Sequence, residues 1–188
     1  MSESAQSELA LTPSQTVGPY LSLGLTWPTG HLVVPEDAPG AITITGVVRD
    51  GTGAVVPDGM VETWQADAEG RFDHADDPRG ASGSGFHGFG RASTDAEGRY
   101  RIVTVKPGAL GDGQAPHIDV SVFARGLLDR VVSRIYFPDE VEANATDPLL
   151  SGLPPERAAT LVAERVGPAE LRWDVRLRGE GETVFLAV

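Results

Sequence analysis

Short runs with an apolar residue at nearly every second position, each closed off by glycine or proline, confine most of this chain to β structure. From His117 onward Ile118, Val120 and Val122 alternate with His117, Asp119 and Ser121, so one strand face is apolar and the other polar. Leu171, Trp173, Val175 and Leu177 alternate in the same way with Arg172, Asp174, Arg176 and Arg178. Ala41 to Val48 sets Ile42, Ile44 and Val47 among threonines, and Met60 to Gln65 and Arg130 to Phe137 carry similar patterns. Thr183 to Val188 reads as a last strand after a Gly-Glu-Gly turn. The sequence Asp50-Gly51-Thr52-Gly53 is a turn signal leading into Val55-Val56. One helix is expected over 153–165, with proline in its first turn, Glu156 early and Arg165 late. Many short strands, 23 glycines, 14 prolines and one short helix predict a mostly β fold, an antiparallel β-sandwich.

A chain of 188 residues is expected to form one domain, with a tail and extended arm over 1–40 ahead of a sandwich over 41–188. Within the arm, Thr12-Pro13-Ser14-Gln15-Thr16-Val17-Gly18-Pro19-Tyr20 is stiffened by two prolines. It either packs back on its own domain or reaches to a neighbour, and the sequence leaves both open. A net charge of −12 argues against nucleic acid or an anionic membrane as partner. The absence of cysteine rules out disulfides, and the acidic start resembles no secretory signal, so the expected address is the cytoplasm.

Two motifs call for a decision. Asp67-Ala68-Glu69-Gly70-Arg71 is echoed by Asp95-Ala96-Glu97-Gly98-Arg99, which we read as one turn chemistry used twice. Gly83-Ser84-Gly85-Phe86-His87-Gly88 spells a dinucleotide-binding loop, but no apolar strand precedes it and no helix follows, so it is rejected and His87 is read as a surface residue. His117 and Asp119 point the same way from their strand and offer half of a metal site. Only His31, His74 and His87 remain as further imidazoles, which favours a strand whose polar face meets solvent or a partner.

Taken in order, Thr12 to Tyr20, Val61-Glu62-Thr63-Trp64-Gln65-Ala66-Asp67, Thr104-Val105-Lys106-Pro107-Gly108, Ala115-Pro116-His117-Ile118, Phe123-Ala124-Arg125-Gly126 and Gly179 to Phe185 resemble landmarks of the intradiol ring-cleaving dioxygenases over nearly the whole chain. The resemblance implies ferric iron held by two tyrosines and two histidines. Here Phe72 stands at the first tyrosine position, Leu110 falls at or near the second, the histidine pair reads His117-Ile118-Asp119, and Gln114 replaces an arginine. It therefore implies a chain that binds no metal itself and pairs with a homologous iron-binding beta-type subunit in a larger assembly. The non-heme Fe(III) would sit on that partner, and the substrates would be protocatechuate and O2, giving 3-carboxy-cis,cis-muconate. By the same resemblance Thr16, Gly18 and Pro19 would line the substrate cavity and Arg125 would face the ring carboxylate. A β-sandwich interaction module with no part in catalysis explains the missing ligands equally well, and a standalone enzyme using His117 and Asp119 is a third reading.

Overall fold

A computed structural model describes residues 11–18, 20–111 and 113–187. Its strands are β1 (Ala41–Arg49), β2 (Met60–Trp64), β3 (Phe89–Ser93), β4 (Arg99–Val105), β5 (His117–Phe123), β6 (Val131–Tyr136), β7 (Glu164–Gly167), β8 (Glu170–Arg172) and β9 (Val175–Arg176). One sheet runs β4-β1-β8-β7 with β9 also on β1, and the other runs β3-β2-β5-β6. Ile118, Val120, Val122, Ile44 and Leu171, which the alternation marked out, meet in one core with Val48 and Ile102 of the first sheet and Val61 and Ile135 of the second, whereas Val47 lies out of phase with Ile44 and is only half-buried. Burying each such side chain contributes about 1.5–3 kcal/mol, which makes this core the main source of stability. The sandwich expected from the sequence is therefore present, with one addition: β8 and β9 pair parallel to β1, while the other strand pairs are antiparallel.

The echoed turns are alike in detail. Asp67 Oδ1 accepts from the backbone of Glu69 and Arg71, Asp95 Oδ1 from that of Glu97 and Arg99, and Gly70 and Gly98 take φ of 73° and 72°. The Gly-rich loop after the first turn is held by Asp73, whose carboxylate accepts from Gly83 and Gly85, and His87 is exposed. That carboxylate occupies the amides that a phosphate would need, and its pKa is lowered by them.

Three expectations are corrected. The helix over 153–165 shrinks to α4 (Pro155–Ala158) and a 3-10 turn, because Ala163 donates to Tyr136 O at 2.9 Å and the chain leaves the helix to join β6 and then form β7. It is also not the only helix: α1 (Tyr20–Gly24), α2 (Val141–Thr146) and α3 (Pro148–Ser151) are each one or two turns. The strand over 171–177 breaks between β8 and β9, since Asp174 Oδ1 accepts from Val47 N at 3.0 Å and displaces the ladder bond that a continuous strand would make. Of the strand expected over Thr183 to Val188, Val188 lies outside the described residues and the rest forms none: Thr183 donates to Arg176 O in one sheet and Leu186 to Val132 O in the other, so the segment crosses between sheets.

Candidate functional site

The arm meets the sandwich at the loop joining β5 to β6. Leu127 N bonds Ala124 O at 3.3 Å, closing a turn with Arg125 and Gly126 at its centre, and Gly126 takes φ of 91° as such a turn requires. Gly126 N then donates to Thr16 Oγ1 at 2.8 Å, and Val17 sits among Phe123, Ala124, Leu127 and Leu128 at a cavity of about 220 Å³. The arm thus packs back on its own domain at Thr16 and Val17, while Thr16 and Gly18 stay exposed to whatever adjoins this surface. A Cβ on Gly18 would meet nothing within 4 Å among the described residues. Pro19 lies outside the described residues. The fold therefore gathers Thr16, Gly18 and Arg125 in one region. The Arg125 side chain is 72% exposed and its Nε contacts Asp58 Oδ2.

On the outer face of the second sheet, the register of the strands sets Trp64 beside Asp119 and Asp119 beside Arg134. Arg134 Nε donates to Asp119 Oδ1 at 2.9 Å and Nη1 to Gln114 Oε1 at 3.1 Å. Phe72 stacks on Trp64 with centroids 5.8 Å apart and planes within 6°. His117, expected on a face open to solvent or a partner, is instead 4% exposed, although the side chain of Asp119 on the same face stays 40% exposed. Its Nδ1 lies 2.8 Å from Ala115 O, its ring is 5.7 Å from that of Tyr136, and its Nε2 is 3.9 Å from Asp119.

These residues do not fit ferric iron. Phe72 and Leu110 carry no donor atom, and the carboxylate of Asp119 is engaged by a guanidinium, a cation already in the place where another cation would need that oxygen. Among the described residues no group of three His, Cys, Asp or Glu side chains converges to hold a metal.

Burial pushes the His117 pKa below 6.5, opposed in part by the Ala115 carbonyl and by Asp119 and Asp147, and assisted by Arg134. Its folded value being the lower one, the unfolded chain takes up the proton first, so the stability held by the neutral ring is present above pH 6.5 and is lost as pH falls below it. Replacing His117 with glutamine is expected to flatten the fall in Tm between about pH 7 and about pH 5 relative to wild type. Parallel profiles for the two proteins would show that this ring does not titrate with unfolding.

Next to this region the chain exposes an apolar strip. Tyr20 is 81% exposed, Leu23 75%, Trp27 45% and Trp64 39%. Trp27 stacks on Phe89 at 6.4 Å, and Arg91 lies over both rings at 5.2 Å while pairing with Glu62 and donating to Leu25 O. Trp27 and Phe89 are therefore held in place by Arg91, and exposed apolar side chains of this size suit an association surface.

Sequence reasoning missed Asp58 and Arg134. The β5–β6 connection is too long for its length alone to set the register, so the facing of Arg134 and Asp119 was not legible before the fold. Asp58 gave no signal either, because Pro57-Asp58-Gly59 reads only as a turn.

A sequence model of the family described as dioxygenase matches residues 29–179. The protocatechuate 3,4-dioxygenase alpha chain of Burkholderia cepacia is 43% identical over 96% of this chain and 98% of its own length, and that of Pseudomonas putida is 43% identical over 93% and 94%. The beta chain of the Burkholderia cepacia enzyme is 37% identical over 76% of this chain and 66% of its own. Among solved structures, the dioxygenase domain of a dioxygenase carbohydrate-binding protein fusion from Streptomyces sp. SirexAA-E superposes with a TM-score of 0.60 at 28% identity, covering 89% of this chain and 98% of that one. Sequence and fold thus agree, and the chain belongs to the intradiol ring-cleaving dioxygenase family.

Proposed function

We propose that this chain is the alpha subunit of a protocatechuate 3,4-dioxygenase, completing the substrate pocket of an iron-bearing homologous beta subunit in a cytoplasmic alpha-beta oligomer of aromatic degradation. The observation that carries the reading is the loss of donor atoms at Phe72 and Leu110 in a chain so similar to alpha chains along its whole length. Ring cleavage between the hydroxylated carbons, giving 3-carboxy-cis,cis-muconate, draws on the catechol and oxygen activation that ferric iron on the partner supplies. This chain's own part is binding. Thr16, Gly18 and Pro19 bring the arm to the pocket wall, and Arg125 offers a guanidinium fork to the ring carboxylate. The exposed apolar side chains of Tyr20, Leu23, Trp27 and Trp64 support an extended contact with the partner.

The test is co-expression with the homologous iron-binding chain. Co-purification, a ferric-tyrosinate colour and oxygen uptake dependent on protocatechuate are expected, whereas a chain that purifies alone and leaves the partner's activity unchanged is an interaction module instead. In the complex, Arg125→Ala is expected to raise KM for protocatechuate about tenfold with kcat little changed. A charged hydrogen bond desolvated by the partner contributes about 1.5–3 kcal/mol, and binding that is equal in ground and transition states appears in KM. An unchanged KM removes Arg125 from the site.

A further inference from the structure

Arg125 owes its direction to a residue the sequence did not mark. An arginine at the tip of a two-residue turn, 72% exposed, has many rotamers open to it. Its backbone is fixed, because Gly126 N is bonded to Thr16 Oγ1, but nothing in that bond orients the guanidinium. Asp58 does. Its side chain is only 29% exposed and contacts Nε, the innermost nitrogen of the group. Among the described residues no hydrogen bond reaches either Nη of Arg125.

Asp58 is itself held from both sides. Thr94, 7% exposed, accepts from Gly59 N at 2.8 Å through Oγ1 and donates that hydroxyl to Val56 O at 2.7 Å, while Thr94 N bonds Gly59 O at 2.9 Å. The segment Val56 to Gly59 is thus clasped to the end of β3, and Asp58 projects from a fixed frame rather than a loose loop. Asp58 and Arg125 line one open cavity of about 570 Å³.

Building on the reading of Arg125 given above, we infer that Asp58 is a positioning residue for recognition of the substrate carboxylate: it holds Arg125 by Nε so that the two outer nitrogens present a bidentate fork to the pocket the partner completes. The arrangement divides the guanidinium between two carboxylates, a resident one on the inner edge and the ligand's on the outer edge. An aspartate that merely supported the fold would act on stability alone. One that aims the fork acts on affinity for carboxylated ring compounds and leaves others untouched.

The test uses the assembled alpha-beta complex. Asp58→Ala is expected to raise KM for protocatechuate about three- to tenfold, to leave kcat within about twofold, and to leave the inhibition constant of catechol, which has no carboxylate, unchanged. Asp58→Asn, which keeps an acceptor for Nε, is expected to restore KM to near the wild-type value. In an Arg125→Ala background the Asp58→Ala change is expected to have no further effect on KM. The inference is overturned if Asp58→Ala leaves or lowers KM while Arg125→Ala raises it, if catechol binding weakens equally, or if the Asp58 effect persists without Arg125. Should Asp58→Ala not assemble, Asp58→Glu, which displaces the carboxylate by one methylene, is expected to raise KM with the same selectivity, and an unaltered KM there is equally fatal. If Arg125→Ala itself leaves KM unchanged, the assignment of Arg125 is what has failed, and the role of Asp58 falls with it.

Discussion

Gly46→Ala is expected to lose about 3 kcal/mol or more of folding stability, against the usual gain of about 0.5–1 kcal/mol when alanine replaces a strand glycine. The reason lies where β1 passes under the break between β8 and β9. A Cβ on Gly46 would lie 1.9 Å from Trp173 O and 2.7 Å from Tyr100 Cε1. Neither neighbour has room to yield. Trp173 is fixed by its own N–H to Thr45 O at 2.8 Å and by its indole N–H to Thr160 O at 3.0 Å. Tyr100, 3% exposed, donates its hydroxyl to the same Trp173 O at 2.6 Å, and burial raises its pKa so that it remains a neutral donor. The added methyl therefore forces backbone from backbone in the middle of the core rather than filling a void. Urea or thermal unfolding of the purified protein checks this, with Tyr100→Phe as a milder companion that removes one buried hydrogen bond and costs about 1–2 kcal/mol. A Gly46→Ala protein as stable as wild type would mean that β1 and Trp173 do not approach as described.

Period-two alternation made the sandwich legible because it reports burial directly: Ile44, Val61, Ile118, Val120, Val122 and Leu171 all face the core. The pattern failed where a side chain took a backbone partner. Nothing in Arg172-Trp173-Asp174-Val175 distinguishes a continuous strand from one whose Asp174 binds Val47 N, since that bond depends on a residue 127 positions away. The helix over 153–165 failed for the same kind of reason, a carbonyl on Tyr136 outcompeting local propensity at Ala163. At the candidate site the arm was legible from its prolines, but its place at a pocket and the role of Arg125 came only through likeness to a family. Their geometry needed the fold, because Thr16 meets Gly126 across 110 residues and Asp58 meets Arg125 from another sheet strand's approach. His117 was misplaced because alternation tells which face of a strand a residue occupies, and not how deeply that residue is buried there.

Asp147→Ala is expected to destabilise the protein by about 3–5 kcal/mol and to disorder the approach to His117. The carboxylate of Asp147 is fully buried. Its Oδ1 accepts from Leu149 N at 2.9 Å, Leu150 N at 3.1 Å and the Tyr136 hydroxyl at 3.1 Å, and its Oδ2 from Ala115 N at 2.9 Å. The first two bonds cap α3, and losing such a cap costs about 1 kcal/mol. The other two tie α3 to β6 and to the segment entering β5, and each buried donor left without a partner costs about 1–3 kcal/mol. Asp147→Asn is expected to fall between, since one oxygen survives while an amide nitrogen meets the Ala115 N–H. Tyr136→Phe, which removes a single donor whose pKa burial has pushed up to about 12, should cost least of the three. The order matters more than any one value. Ala115 donates its N–H to the carboxylate and holds His117 Nδ1 through its carbonyl, so Asp147 fixes through these two hydrogen bonds the start of β5, the strand that leads into the turn carrying Arg125. Measured unfolding energies should rank alanine, asparagine and phenylalanine variants in that sequence. An Asp147→Ala protein no weaker than Tyr136→Phe would show that Asp147 does not anchor the start of β5.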